Sequence, residues 1–170
     1  MRLGSRFDEF AAELAKYDCG VHRLIPGASE EAIAVAERAL GVTFFEDYKA
    51  FLHRWNGGLM FAKEFFDLLI WSVDDEATRD MLEYNTEAVR ENTKQHAEYG
   101  LPAHLLGIAQ DGGGDLTCLD FSEPPSVVRW SVDERKVESR WSTMIEWLEY
   151  EMELGRDMYD YHGDEREGGE

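Results

Sequence analysis

The spacing of apolar residues predicts helices in the first third of the chain. In RFDEFAAELAKY, apolar residues recur at intervals of three and four, which places them on one face of a helix. These residues are Phe7, Phe10, Leu14 and Tyr17. The next stretch, SEEAIAVAERALG, carries Ser29 as a helix-capping residue and Gly41 as a stop signal. We therefore expect two amphipathic helices before residue 42.

A third helix is predicted directly afterwards, in FEDYKAFLHRWNGG. Its apolar residues repeat at i, i+3, i+4 and i+7 and comprise Tyr48, Phe51, Leu52 and Trp55. The tripeptide Asn56-Gly57-Gly58 follows, and residues of these types adopt the left-handed conformation that ends helices. The pattern predicts that this tripeptide terminates the helix.

The second half of the chain changes to the short apolar runs of β-strands. Val128, Trp130 and Val132 alternate with polar residues, as in a strand that has one buried face. The loop SEPPS is typical of a hairpin connection. The predicted strands are 65–71, 104–110, 115–121 and 126–132, with a polar helix over 74–96 and a last helix, capped by Ser142, that begins near residue 143.

This order of elements indicates an α+β fold, in which helices flank a mostly antiparallel β-sheet. A chain of 170 residues without an interdomain linker predicts a single domain. We expect that domain to span residues 1–152, including the N-terminal helix. Residues 153–170 are rich in acids and glycine and are predicted to form a flexible C-terminal tail.

Charge restricts the classes of partner. The 36 acidic residues outnumber the 17 basic ones, and the net charge is −19. Nucleic acids and anionic membranes would be repelled, whereas a basic protein would be attracted. The alternative is that the charge serves solubility only. The N-terminus has no apolar run typical of a secretory signal, and Cys19 and Cys118 are too few for a disulfide framework, so we expect a cytoplasmic protein.

The segment IAQDGGGDLTCLDF, residues 108–121, resembles a ligand loop at first sight. A dinucleotide fingerprint requires a different glycine spacing and a following helix, and here a predicted strand follows. A phosphate-binding loop requires Gly-Lys followed by Ser or Thr, which does not follow here. A calcium loop of the EF-hand type requires an oxygen ligand at its third position, which Gly113 occupies. The segment therefore predicts a tight turn whose aspartates accept hydrogen bonds from backbone amides. We predict neither a metal nor a cofactor.

Four segments in order resemble the SUKH superfamily, which includes immunity proteins of bacterial toxin systems and cell-wall synthesis regulators. They are SEEAIAVAERALGV, FEDYKAFLHRWNGG, LLGIAQDGGGDLTCLDF, and VVRWSVDE with the helix MIEWLEYEM. The Asn-Gly-Gly and Gly/Asp segments are the specific parts. The family usually has a proline that opens the second helix, and Phe45 stands there instead.

The resemblance implies a binding protein without catalytic residues. The residues that match the family pattern are interpreted as fold-defining: Trp55, Asn56, Gly57, Gly58, Asp111, Gly112, Gly113, Gly114 and Asp115. The alternative is that they face the partner directly. The sequence also lacks a recognisable catalytic motif, because its histidines are scattered. His53 is interpreted as structural, and Cys118 as a buried thiol.

The expected partner is a cognate protein toxin, for which a basic nuclease domain is a candidate. Acidic side chains can occupy a cleft that otherwise binds phosphates. The predicted partner-binding residues lie in two loops and comprise Asp74, Asp75, Glu76, Asp80, Asp133 and Glu134. The alternative function is that of a regulatory or scaffold module without a toxin. The oligomeric state stays open.

Overall fold

The computed structural model of the protein describes residues 3–17, 20–61, 63–65 and 100–166. Within these ranges the helices are α1 (Leu3–Leu14), α2 (Glu30–Leu40), α3 (Glu46–Arg54) and α4 (Met144–Met158). The strands are β1 (His22–Pro26), β2 (Trp55–Met60), β3 (Lys63–Phe65), β4 (Leu105–Asp111), β5 (Leu116–Asp120), β6 (Ser126–Ser131) and β7 (Lys136–Trp141).

In the described part of the chain, the strands form one seven-stranded sheet in the order β1 to β7. Every neighbouring pair is antiparallel. Leu106 on β4 lies opposite Leu119 on β5, and Thr117 on β5 lies opposite Arg129 on β6. The predicted α+β class and the predicted β5–β6 hairpin are confirmed.

Apolar side chains are buried on both faces of the sheet. One cluster joins residues of all four helices to alternate residues of the sheet, and Trp147 on α4 is fully buried within it. The other cluster comprises Leu101, Leu105, Leu116, Cys118, Val128 and Trp130. Burying one large apolar side chain contributes about 1.5–3 kcal/mol. The two clusters therefore hold the sheet from both sides.

The helix signals around α2 are confirmed. The Ser29 hydroxyl accepts a hydrogen bond from the Ala32 amide at 3.3 Å. At the other end, Gly41 is left-handed with φ 68°, and its N–H donates to the Glu37 carbonyl. Both caps satisfy backbone groups that a helix end leaves without partners.

The predicted end of α3 is wrong. The helix stops at Arg54, and Trp55 is already extended, with φ −141° and ψ 122°. Residues 55–60 form β2, which pairs with β1 on one side and β3 on the other. Asn56-Gly57-Gly58 therefore lies in a strand and not in a helix-ending turn. Of the three residues, Gly58 pairs with Leu24 on β1 and with Phe65 on β3, and the register of the β1–β2 ladder shifts between Leu24 and Pro26.

The predicted cap of the last helix is also wrong by one residue. Thr143 is the N-cap of α4, and its hydroxyl accepts a hydrogen bond from the Glu146 amide at 3.3 Å. Ser142 instead donates its own N–H to the Glu146 carboxylate at 2.9 Å. The arrangement is related to a capping box, but the amide that Glu146 binds belongs to the residue before the cap and not to the cap itself.

The C-terminal segment begins inside a helix, since α4 continues past the predicted domain boundary at residue 152 to Met158. Beyond it, Tyr159 bridges to Glu165, and the Asp160 carboxylate accepts hydrogen bonds from two amides of the turn between them. The Tyr161 ring contacts that of Tyr17, with centroids 4.9 Å apart. The flexibility of residues 153–170 stays a prediction.

The strands β1, β2 and β7 were not expected from the pattern. The predicted strand 65–71 meets β3 only at Phe65, and residues 66–71 lie outside the described residues. The predicted helix over 74–96 also lies outside them.

Candidate interaction surface

The Gly/Asp loop between β4 and β5 is closed by its own aspartates. Asp111 Oδ1 accepts hydrogen bonds from the amides of Gly113 at 3.0 Å and Asp115 at 3.1 Å. Asp115 Oδ1 accepts a further bond from the Val132 amide at 3.2 Å, just after β6. The expectation that the aspartates bind the loop's own backbone amides is confirmed for Asp111, whereas the Asp115 carboxylate binds an amide outside the loop.

Arg129 on β6 compensates the charge of this loop. Its Nη2 donates to Asp111 Oδ2 at 2.9 Å and to Asp115 Oδ2 at 3.1 Å. Burial lowers the pKa of Arg129, but the two carboxylates outweigh this effect and hold the pKa above its ordinary value. The guanidinium therefore stays charged, and the loop aspartates have an internal cation as their partner.

The WNGG segment lies within the sheet, on β2. Gly57 and Gly58 have φ values of 100° and 111°. A Cβ atom on Gly58 would lie 2.2 Å from the Arg23 carbonyl oxygen on β1. Asn56 is buried, and Trp55 packs edge-on against Phe10 of α1, with ring centroids 5.8 Å apart. These positions agree with a fold-defining role, which stays a prediction until the residues are substituted.

The β6–β7 turn brings together two of the six predicted partner-binding residues. Asp133 and Glu134 are both exposed there, and Glu134 pairs with Lys136. The Ser131 hydroxyl accepts a hydrogen bond from the Glu134 amide at 3.3 Å, which shapes the turn. The remaining four, Asp74, Asp75, Glu76 and Asp80, lie outside the described residues.

The candidate catalytic groups weighed in the sequence have structural partners. His53 Nδ1 lies 3.1 Å from the Ala28 carbonyl oxygen, and its Nε2 lies 3.0 Å from Glu30 Oε1. Cys118 is fully buried, and burial raises the pKa of its thiol, with the Asp120 charge adding to the effect. A thiol in this state is a poor nucleophile.

A buried carboxylate lies beside a groove at the end of β5. Asp120 Oδ1 accepts hydrogen bonds from the Ser122 amide at 2.9 Å and hydroxyl at 2.5 Å. Arg140 Nη1 forms an ion pair with Asp120 Oδ2 at 2.7 Å. Burial raises the pKa of Asp120, but the Ser122 and Arg140 contacts outweigh it and hold the pKa below its usual range. The groove, of about 500 Å³, is lined by Ser122, Glu123, Pro124, Pro125, Ser126, Arg140 and Ser142.

Sequence reasoning missed the outward face of α4. Tyr150, Leu154 and Met158 are exposed there at spacings of four residues. An acidic residue precedes each of them, in the order Glu149, Glu153 and Asp157. The sequence carries this signal as two i, i+4 rows, one apolar and one acidic. The sequence prediction for this helix used only its buried residues.

Comparison with known families agrees with this architecture. The model of the SMI1 / KNR4 family (SUKH-1) matches residues 27–150, most of the chain. The chain belongs to this family. The matched range begins just before α2 and ends within α4, so it covers the Gly/Asp loop and the WNGG strand. Members of the SUKH family are generally non-catalytic immunity or regulatory proteins, which points to protein–protein interaction in general.

A solved structure shares the fold. The crystal structure of a protein from Pseudomonas syringae pv. tomato matches with a TM-score of 0.58 and 19% sequence identity, over 84% of this chain and 95% of that one. No curated protein matches. In the described part of the chain, none of the helices combines the length and the apolar character that crossing a membrane requires.

Proposed function

We propose that this protein is a non-catalytic immunity protein, which neutralises a cognate bacterial toxin by direct contact in the cytoplasm. The observation that carries the proposal is the family match over residues 27–150. A toxin with a basic nuclease domain is the partner that the net charge of −19 favours.

The described residues support binding more than catalysis. Asp111 and Asp115 are held by Arg129, and His53 by Ala28 and Glu30, so their polar atoms serve the fold. Asp133 and Glu134 are instead exposed on a loop of a rigid sheet, where recognition residues commonly lie.

The test is a calorimetric titration of this protein with the C-terminal domain of the polypeptide that is encoded immediately upstream. We expect tight one-to-one binding, inhibition of the toxin activity, and weakening of binding with added salt. Tight binding that is indifferent to salt would keep the immunity function and reject the electrostatic mechanism. Absence of binding would contradict the proposal in favour of the regulatory module without a toxin.

The predicted acidic contacts are tested in the same titration. Asp133→Asn with Glu134→Gln should weaken binding and reduce its salt dependence. The matched control is Glu31→Gln with Asp164→Asn, which removes two exposed acids from other elements. If both double variants behave alike, the β6–β7 turn is not a contact. Alanine at all six predicted residues extends the test to Asp74, Asp75, Glu76 and Asp80.

A further inference from the structure

The exposed apolar residues of the protein are concentrated at one place. Among the described residues, the large hydrophobic side chains that are exposed are Leu59, Tyr150, Leu154, Met158 and Tyr161. Three of them lie on α4 at i, i+4 and i+8, and are 37%, 37% and 41% exposed. At about 1.5 Å per residue this row is roughly 12 Å long. Single exposed hydrophobic residues are ordinary, whereas a row of them along one helix face is a candidate contact surface.

An acidic row runs beside the apolar row on the same helix. Glu149, Glu153 and Asp157 each precede one of the apolar residues and share their four-residue spacing. Glu149 accepts hydrogen bonds from Arg6 of α1. Glu153 and Asp157 are exposed and have no ion-pair partner in the described part of the chain. Arg156, which is also exposed on α4, pairs with Glu13 of α1 at 3.1 Å. The outward face of α4 thus carries an apolar row, and beside it the carboxylates of Glu153 and Asp157 are available for a cation.

Contacts with α1, α3 and β7 hold α4 in place. The Met144 amide at the start of α4 donates to Asp47 of α3 at 2.5 Å, and Glu149 is tied to α1 through Arg6. The Tyr150 ring contacts that of Trp141 on β7, with centroids 5.1 Å apart. A surface that is ordered in advance loses little entropy on binding.

The negative charge of the protein restricts the kind of partner that can bind this face of α4. A second copy of this chain would bring one acidic row against another, at a net charge of −19 on each. An anionic lipid surface would be repelled for the same reason. A basic amphipathic helix meets both rows, because its apolar side chains can cover Leu154 and Met158 while its Lys and Arg side chains reach Glu153 and Asp157.

We infer that the outward face of α4 is the docking surface for a basic amphipathic helix of a partner protein. The inference rests on the proposed function in that the partner is a protein, and it places the contact on α4 as well as on the loops. Binding is driven by burial of Tyr150, Leu154 and Met158, and is oriented by Glu153 and Asp157.

The experiment titrates the full chain with a synthetic helical peptide that has leucines on one face and lysines on the other, followed by calorimetry and NMR chemical shifts. A peptide of the same composition in scrambled order is the second probe. We expect the amphipathic peptide to bind more tightly than the scrambled one and to shift the α4 resonances most. Leu154→Ser with Met158→Ser should weaken binding by about tenfold or more.

Matched variants distinguish binding at this surface from nonspecific electrostatic attraction between the acidic protein and the basic peptide. Leu59→Ser removes an equally exposed apolar side chain from β2 and should leave affinity unchanged. Glu153→Gln with Asp157→Asn should reduce the salt dependence more than Asp133→Asn with Glu134→Gln. The inference is overturned if the scrambled peptide binds equally well, or if the control variants lose as much affinity as the α4 variants.

The upstream toxin domain distinguishes this inference from the proposed function. Toxin binding that is unaffected by the α4 substitutions would overturn the surface and keep the immunity function. Peptide binding on α4 without toxin binding would overturn the immunity function and keep the surface. Toxin binding that is lost with Leu154→Ser and Met158→Ser, in variants with an unchanged thermal transition, would support both.

Discussion

The carboxylate of Asp47 on α3 accepts a hydrogen bond from the backbone amide of Met144, the first residue of α4, at 2.5 Å. The bond joins residues that are 97 positions apart in sequence. It places a negative charge at the positive end of the α4 helix dipole, where an anion is stabilising. The same helix carries Trp147 and Leu148 into the core and presents its other face to solvent.

Removal of this long-range cap should destabilise the protein without altering its surface. Asp47→Ala is expected to lower the free energy of unfolding by about 1 kcal/mol, the ordinary value for a lost helix cap. Urea titration followed by circular dichroism measures the change. Asp133→Ala, in an exposed turn, is the control and should change stability by less than about 0.5 kcal/mol. Equal effects of the two variants would show that the Asp47 contact contributes nothing.

Arg129 should be required for the Gly/Asp loop. Arg129→Met leaves Asp111 and Asp115 without their cation, and we expect a loss of about 1–3 kcal/mol in the free energy of unfolding. Arg38→Met removes an exposed arginine at the end of α2 and should be nearly neutral. Urea titration of both variants measures these changes in the free energy of unfolding. A neutral Arg129→Met would contradict the fold-defining role assigned to Asp111 and Asp115.

Two glycines of the family segments should differ sharply in their tolerance of alanine. Gly58→Ala introduces a Cβ atom 2.2 Å from the Arg23 carbonyl oxygen at φ 111°, and should cost about 2 kcal/mol or more. At Gly112 a Cβ atom would have nothing within 4 Å, so Gly112→Ala should be tolerated, contrary to the fold-defining role expected of Gly112 from the sequence. Thermal unfolding compares the two. A Gly58→Ala variant as stable as the wild type would refute the close approach of β1 and β2.

Asp120 should link stability to pH in the acid range. Because its folded pKa is lower than usual, its charge stabilises the fold above the ordinary carboxyl pKa of about 4, and this contribution is lost as the pH falls through the folded pKa. Asp120→Asn should therefore lower stability near neutrality, and its difference from the wild type should shrink in acid. A difference that does not change with pH would show that the charge is not involved.

The control for this variant is Asp164→Asn, since Asp164 is exposed on the turn after α4. Removal of this exposed acid should change the free energy of unfolding by less than about 0.5 kcal/mol. Ser122→Ala removes one hydrogen-bond donor to Asp120 and should raise the pKa of that carboxyl. Its acid transition should therefore begin at a higher pH than that of the wild type.

Helices with local signals could be predicted closely, while strands that depend on neighbours could not. Ser29 and Gly41 mark the ends of α2 with bonds inside four residues, and both were expected. β7 has only Val137 and Trp141 as apolar residues, because it lies at the sheet edge, where charged side chains are favoured. Its pattern therefore gave no signal of a strand.

The residues of the candidate site likewise fall into those that could be predicted from local sequence and those that could not. The exposure of Asp133 and Glu134 followed from their place in a turn after an alternating strand. The compensation of Asp111 and Asp115 by Arg129 was not predictable, because these residues are 18 and 14 positions apart from it and meet only across the sheet. The exposed face of α4 could not be predicted either, because it depends on which side of the helix packs against the core.

The sequence by itself determined the α+β class, α2 with its own caps, the apolar central strands and the turn between Asp111 and Asp115. Each of these rests on periodicity or on bonds between residues close in the chain. Only the tertiary structure decided that Trp55–Met60 is a strand, that Asp47 caps α4, and that Tyr150, Leu154 and Met158 remain exposed. These features depend on partners distant in sequence, whose hydrogen bonds and buried surface exist only once the sheet has assembled.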